Sequence, residues 1–235
     1  MKRLCIAFIL FALIPTAVYA QEKGADKKVS QRKQARILMK EQIKQLKAGV
    51  LLVRLQTKEN AVSSLKEIRK YKLADRIMKR QLRYNKEIIS AFKNNFTFCP
   101  AYFFFSNYSD SILSGQTNGI VFLNDNLEPD TTIKLNNEKF LTAEFGIIEQ
   151  ETTKHFSNYY YFPGENGPQQ KSAYYNKSNM RFGALKIMSG QLEQLKRPFP
   201  YYVRTFDFLP FKRKPSKTVM RMNKLLAGYY GKNNG

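Results

Sequence analysis

Tryptophan is absent from this chain of 235 residues, histidine occurs once and cysteine twice. A His-rich metal centre, a zinc ribbon and a disulfide framework each need several such side chains, so no metal and no cofactor is expected. The sequence also lacks a phosphate-cradling Gly-rich loop, a Gly-x-Ser-x-Gly elbow and a His-Glu-x-x-His run. Acids are scarce: 18 Asp plus Glu stand against 40 Lys plus Arg, a formal charge of +22. That imbalance favours anionic partners without specifying one. With 43% hydrophobic and 25% charged residues, the composition supports a packed core and excludes wholesale disorder.

The start of the chain carries an address. Met1, Lys2 and Arg3 precede an apolar run to Val18, and Val18-Tyr19-Ala20 ends it before Gln21. This is the three-part pattern of a secretory signal peptide cut after Ala20. Pro15 interrupts a run already shorter than the roughly 20 residues of a spanning helix, and no later apolar stretch approaches that length. Cys5 stands too early to be the lipidated first residue of a mature lipoprotein. The expected product is exported, periplasmic or secreted, and has no transmembrane segment after cleavage. Cys99 is then its single cysteine and has no internal disulfide partner.

Along the mature chain, residues 21–48 form a basic, helix-competent segment with Arg32, Arg36, Lys40 and Lys44 at four-residue spacing. Residues 49–230 are expected to form a single α+β domain, followed by a flexible tail at 231–235. Val50 to Leu55 is a dense apolar run, too short for a helix and bounded by Gly49 and Thr57, and it indicates a buried strand. Gly and Pro are then absent up to Cys99, and Thr57 is placed to cap a helical pattern over 58–94, as one helix or as two joined near Tyr71. Helical projection puts Leu73, Ile77, Met78, Leu82, Tyr84, Ile88, Ile89 and Phe92 on one half of the circle. Lys72, Arg76, Lys79, Arg80, Arg83 and Lys86 occupy the other. The texture beyond Asn95 is strand-like, with candidates at 96–106, 119–123, 140–149, 156–162, 182–188 and 201–206. A last helical pattern opens at Ser216 and stops at Gly228. The fold expected is α+β, a mixed sheet with one long amphipathic helix and a C-terminal helix. A thioredoxin-like α/β arrangement is the alternative, because a strand-helix-strand unit precedes a later hairpin, although the Cys-x-x-Cys pair is lacking.

Candidate chemistry is thin. Cys99 and His155 are the only possible thiol–imidazole pair, yet Cys99 precedes Pro100 and an aromatic strand, where cysteine behaves as a small buried hydrophobe. The run from Asn124 to Asp130 offers alternating oxygens, but Pro129 and Leu135 fall where a calcium loop needs Gly and Glu; an Asx-stabilised turn accounts for it. Glu144, Glu149 and Glu151 could supply paired carboxylates only through folding. The aromatic clusters, such as Tyr102-Phe103-Phe104-Phe105, are expected to be core, on a sheet covered on both faces.

Charge layout is the most informative feature. Residues 21–100 hold 21 cations and 7 acids, a net of +14, whereas residues 110–151 hold 2 cations and 8 acids, a net of −6. Either the acidic stretch neutralises the basic one internally, or the basic one faces a partner; like charges at four-residue spacing cost about 0.2–0.5 kcal/mol per pair unless something neutralises them. The reading favoured is a noncatalytic exported protein whose basic helical surface docks on an anionic envelope component or a protein partner. The candidate binding residues are Arg32, Arg36, Lys40, Lys44, Lys72, Arg76, Lys79, Arg83 and Lys86. Export argues against nucleic acid as a ligand. An exported hydrolase-like enzyme with a site formed only on folding is the rival. The mature protein should begin at Gln21: intact mass of the exported product tests this, and retention of residues 1–20 or an added lipid mass overturns it.

Overall fold

A computed structural model describes residues 33–116, 119–135, 139–148, 155–160, 169–174, 182–206 and 213–234. Helix α1 (residues 33–48) leads into strand β1 (Val50–Leu55). Then follow helices α2 (Glu59–Glu67) and α3 (Tyr71–Asn95), strand β2 (Ala101–Phe105), the short helix α4 (Ser109–Leu113) and strand β3 (Phe122–Leu123). Strand β4 (Phe140–Ile148) precedes a hairpin of β5 (His155–Tyr160) and β6 (Gln169–Tyr174), and strands β7 (Phe182–Met188) and β8 (Tyr202–Arg204) lead to helix α5 (Pro215–Asn234).

Six strands form one mixed sheet in the order β3-β2-β1-β4-β7-β8, with β1 parallel to both neighbours and the remaining pairs antiparallel. The fold is thus α+β. Gly49 marks the entry to the sheet: a Cβ there would lie 1.9 Å from the carbonyl oxygen of Lys139, so only glycine lets α1 turn into β1 beside β4.

Strand alternation sorts the core onto two faces. Leu51, Val53 and Leu55 of β1 join Phe103, Leu141, Ala143, Leu185, Ile187 and Val203 against a helical layer. That layer contributes Met39, Ile43 and Leu46 from α1, Ile88, Ile89 and Phe92 from α3, and Val219, Met222 and Leu226 from α5. On the opposite face Val50, Leu52, Phe104 and Phe122 pack with Ile112 of α4 and with Ile120 and Leu135. Phe103 and Phe104 are therefore both buried, on different faces, as the aromatic clustering indicates. Asn223 of α5 ties the helical layer down, its Oδ1 accepting the backbone N–H groups of Thr97 and Phe98 at 3.0 Å each. Asn85 of α3 is buried and donates its Nδ2 to the carbonyl of Gln56 at 2.9 Å, just beyond β1.

Of the two arrangements open for 58–94 the structure has the second, two helices that meet just before Tyr71: Arg69 takes a left-handed φ of 58°, its N–H donates to Lys66 O and that of Lys70 to Leu65 O, the Schellman closure of a helix end. Two local expectations are corrected. Lys58 rather than Thr57 holds the α2 N-cap position, with no side-chain cap; the Thr57 hydroxyl lies 3.5 Å from that of Ser106 instead. Helix α5 continues through Gly228 and Gly231 to Asn234, past the expected stop, and the Asn233 side chain donates to Tyr229 O at 2.7 Å.

The apolar arc of α3 also divides. Its C-terminal half is core, with Phe92 1% exposed and its ring tilted against Phe96 and edge-on to Phe103, at centroid distances of 5.4 and 6.1 Å. In its N-terminal half Tyr71, Leu73, Met78 and Leu82 are exposed, Leu82 by 42%. Helix α2, which packs on α3, buries none of its residues. Phe92→Ala should therefore cost about 3–5 kcal/mol in urea-induced unfolding, whereas Leu82→Asp should shift stability by less than about 0.5 kcal/mol. Equal losses for the two variants would contradict the division.

Candidate functional site

Every described member of the predicted basic set is exposed. Arg36, Lys40 and Lys44 lie on the outer face of α1, and Lys72, Arg76, Lys79, Arg83 and Lys86 on that of α3; Arg32 falls outside the described residues. Among the described residues none of these eight forms an ion pair. The two acids in the described part of the acidic stretch that do form ion pairs are committed elsewhere, Asp125 to Lys93 beyond the stripe and Glu144 within the sheet.

The structure brings Arg83 and Lys86 together with Lys214, at the start of α5, along an open groove of about 1170 Å³. Leu82, Ala91, Phe105 and Leu127 supply apolar lining, and among the described residues Glu87 is its one acid. The cations of α1 do not reach it. Along α3, Tyr71, Met78 and Leu82 recur at i, i+7 and i+11, which places an exposed apolar stripe directly beside the cationic one.

A second constellation lies on the sheet face opposite the helical layer. Arg54 of β1, Glu144 of β4 and Lys186 of β7 occupy one cross-strand row. Arg54 Nη1 lies 2.6 Å from Glu144 Oε2, and Lys186 Nζ lies 2.8 Å from Oε1. Gln56 Nε2 reaches Oε2 at 3.4 Å, and Arg54 Nε donates to Ser109 Oγ at 2.8 Å. Gly146 leaves room for the carboxylate: a Cβ there would stand 2.9 Å from Glu144 Oε1. Burial by itself would raise the Glu144 pKa, but the hydrogen bond and charge of Lys186, joined by Arg54, outweigh it and hold the carboxyl below its ordinary value. A carboxylate held ionised by two cations is a poor proton acceptor at neutral pH, so the row is an electrostatic tie between strands.

Sequence reasoning named Glu144 only among unsorted acids and passed over its partners. One signal was present: Arg54, Glu144 and Lys186 are each the single charge in an otherwise uncharged strand. Glu149 and Glu151 lie outside the described residues.

The remaining candidates resolve into structure. Cys99 is buried, and burial pushes its thiol up to about 12 against the opposing charge of Lys47 and the hydrogen bond from the Leu51 backbone. Such a thiol is a poor nucleophile. His155 opens β5, its backbone paired with Tyr174. In the supposed calcium loop Asn124 Oδ1 accepts the backbone N–H groups of Asn126 and Glu128 at 2.9 and 3.0 Å, the Asx-stabilised turn expected there. Among the described residues no group of three or more His, Cys, Asp or Glu converges, and no helix is long and apolar enough to cross a membrane. The chain matches no family model, no curated protein and no solved structure.

Removing Glu144 leaves two partly buried cations facing one another, so Glu144→Ala should cost about 3 kcal/mol, whereas replacing Arg54, Glu144 and Lys186 together by apolar residues should cost much less. Because the folded pKa is depressed, the stabilisation is complete at neutral pH. It begins to fall only below the ordinary glutamate value of about 4.3 and vanishes as pH drops through the folded pKa. Chemical denaturation of wild type and the alanine variant between neutral pH and pH 3 checks this. A difference that does not shrink on acidification contradicts it.

Proposed function

We propose that the protein is exported and noncatalytic and docks on the anionic lipid surface of the cell envelope through the outer face of α3. The observation that carries this reading is the exposure of Lys72, Arg76, Lys79, Arg83 and Lys86 without ion-pair partners among the described residues. Internal neutralisation, the competing account of the charge layout, is partial: Asp125 and Glu144 pair with Lys93 and Arg54 of the basic stretch, and among the described residues neither acid pairs with a cation of the α3 stripe.

Lipid is favoured over a polysaccharide or a folded protein by what lies next to the cations. Tyr71 is 58% exposed and Met78 39%, and with Leu82 they border the basic stripe. An interfacial helix uses this pattern, its apolar side chains entering the acyl boundary while Lys and Arg meet anionic headgroups. Each cation near such a surface contributes about 1 kcal/mol, screened over about 8 Å at physiological ionic strength. The open groove beside Arg83, Lys86 and Lys214 extends the same surface to the start of α5. The rival reading, an enzyme, needs a pocket that encloses its reacting groups, whereas this groove is open to solvent along its length.

Cosedimentation with phosphatidylcholine vesicles, with and without phosphatidylglycerol, tests the proposal. Binding should require the anionic lipid and weaken steeply with salt. Changing Arg76, Lys79 and Arg83 together to Glu should reduce it about a hundredfold or more, with an unchanged circular dichroism spectrum. Met78→Asp should weaken it with the salt dependence retained. Binding to an anionic polysaccharide but not to vesicles rejects the lipid assignment, and a triple variant that unfolds makes the stripe an internal structural element.

A further inference from the structure

A different basic surface lies at the other edge of the sheet, where β8 meets α5. From Lys196 to Lys232 the chain carries ten cations and a single acid, Asp207, a denser excess than that of residues 21–100. Folding gathers four of these cations. Arg197, Arg204, Arg213 and Arg221 line one cleft of about 440 Å³, together with Tyr201, Tyr202 and Phe206. Among the described residues no Asp or Glu lines it.

Four guanidinium groups around so small a space repel one another, and arginine cannot relieve the repulsion by losing its proton. The fold nevertheless fixes two of them. The Arg204 guanidinium lies 4.0 Å from the centroid of the Phe182 ring. Arg213 stands 4.9 Å over Phe206, and its Nη1 donates to the Arg204 carbonyl at 2.7 Å. The backbone N–H of Arg213 also bonds Thr205 O at 2.8 Å, which holds the two arginines at adjoining positions. These groups are thus ordered before any ligand arrives, so less entropy is lost on binding. Arg197 and Arg221 are exposed and engaged in no ion pair among the described residues. They supply free forks on the solvent side.

Tyr201 adds a neutral donor. Burial, with help from Tyr202, pushes the Tyr201 phenol above its ordinary value against the pull of Arg197, so it keeps its proton at neutral pH. Planar guanidinium forks match the paired oxygens of a phosphoryl group, and a dianion answers several of them at once where a carboxylate answers one. The aromatic walls suit the organic remainder of a small ester.

We propose that the β8–α5 cleft binds a phosphoryl group carried on a ligand of headgroup size, through Arg197, Arg204, Arg213 and Arg221. The site is independent of lipid docking by α3. The same chemistry is offered by a soluble phosphate ester and by a lipid headgroup, and the experiment separates these sources.

Binding is measured on the mature chain carrying Arg76→Glu, Lys79→Glu and Arg83→Glu, which removes most of the α3 contribution. One arm titrates inorganic pyrophosphate by calorimetry. The other uses phosphatidylcholine vesicles with and without phosphatidic acid. Saturable binding in the first arm assigns a soluble ester, and phosphatidic acid-dependent binding in the second alone assigns a headgroup. In either arm Arg197→Gln with Arg221→Gln should weaken binding about tenfold or more. Both positions are exposed, and an unchanged thermal transition confirms an intact fold. Restoring the native α3 residues should change pyrophosphate affinity by no more than about twofold. Absence of binding in both arms overturns the proposal. So does binding unaffected by the double glutamine variant, or matched by acetate at equal ionic strength.

Discussion

Glu144 sets the register of the molecule. Its carboxylate sits where β4 meets β1 on one side and β7 on the other, and both neighbours place a cation directly opposite it. A slip of one residue along β4 would swing Glu144 into the apolar face, among Leu51, Val53 and Leu185, with no cation to meet it. Hydrophobic burial drives the strands together, but it tolerates many alignments of Val, Leu and Ile. The charged row admits one, and the packing of α1, α3 and α5 on the far face then follows from which side chains point towards them.

That alignment decides how α3 is presented. Its last turns lie on the sheet and are held there by Phe92, Ile88 and Asn85, whereas its first turns bury Ala74 and leave Tyr71, Leu73 and Met78 exposed. An amphipathic helix that is half buried in this way leaves part of its apolar arc uncovered. The same helix thus serves as a core element at one end and as an exposed surface at the other.

Much of this was legible in the sequence, and the failures have physical causes. β1 and β7 were readable to the residue because each is a short apolar run. The periodicity of α3 gave the correct buried face but not its depth, since a projection reports direction around an axis and is blind to where the sheet ends; Leu82 lies on the apolar half and is still exposed. A break near Tyr71 was readable only as one of two options, because Arg69, not glycine, takes the left-handed position that ends α2. The Arg54–Glu144 contact joins residues 90 apart and depends on strand order, which composition does not reveal. The basic stretch after Lys196 was overlooked because its cations are spread over a strand, a loop and a helix, and only folding collects them.

The order of strands has one more effect. Strands of five to nine residues occupy the middle of the sheet, while the two edges are β3, with two residues, and β8, with three. The aromatic strand β2, with Phe103, Phe104 and Phe105, is the kind of segment that recruits other chains when its backbone is bare. Here β3 shields it, and at the opposite edge Arg204 projects from a strand too short to template a partner. Both edges of the sheet thus offer only short templates, and a change that detaches β3 bares the backbone of Phe103 and Phe104.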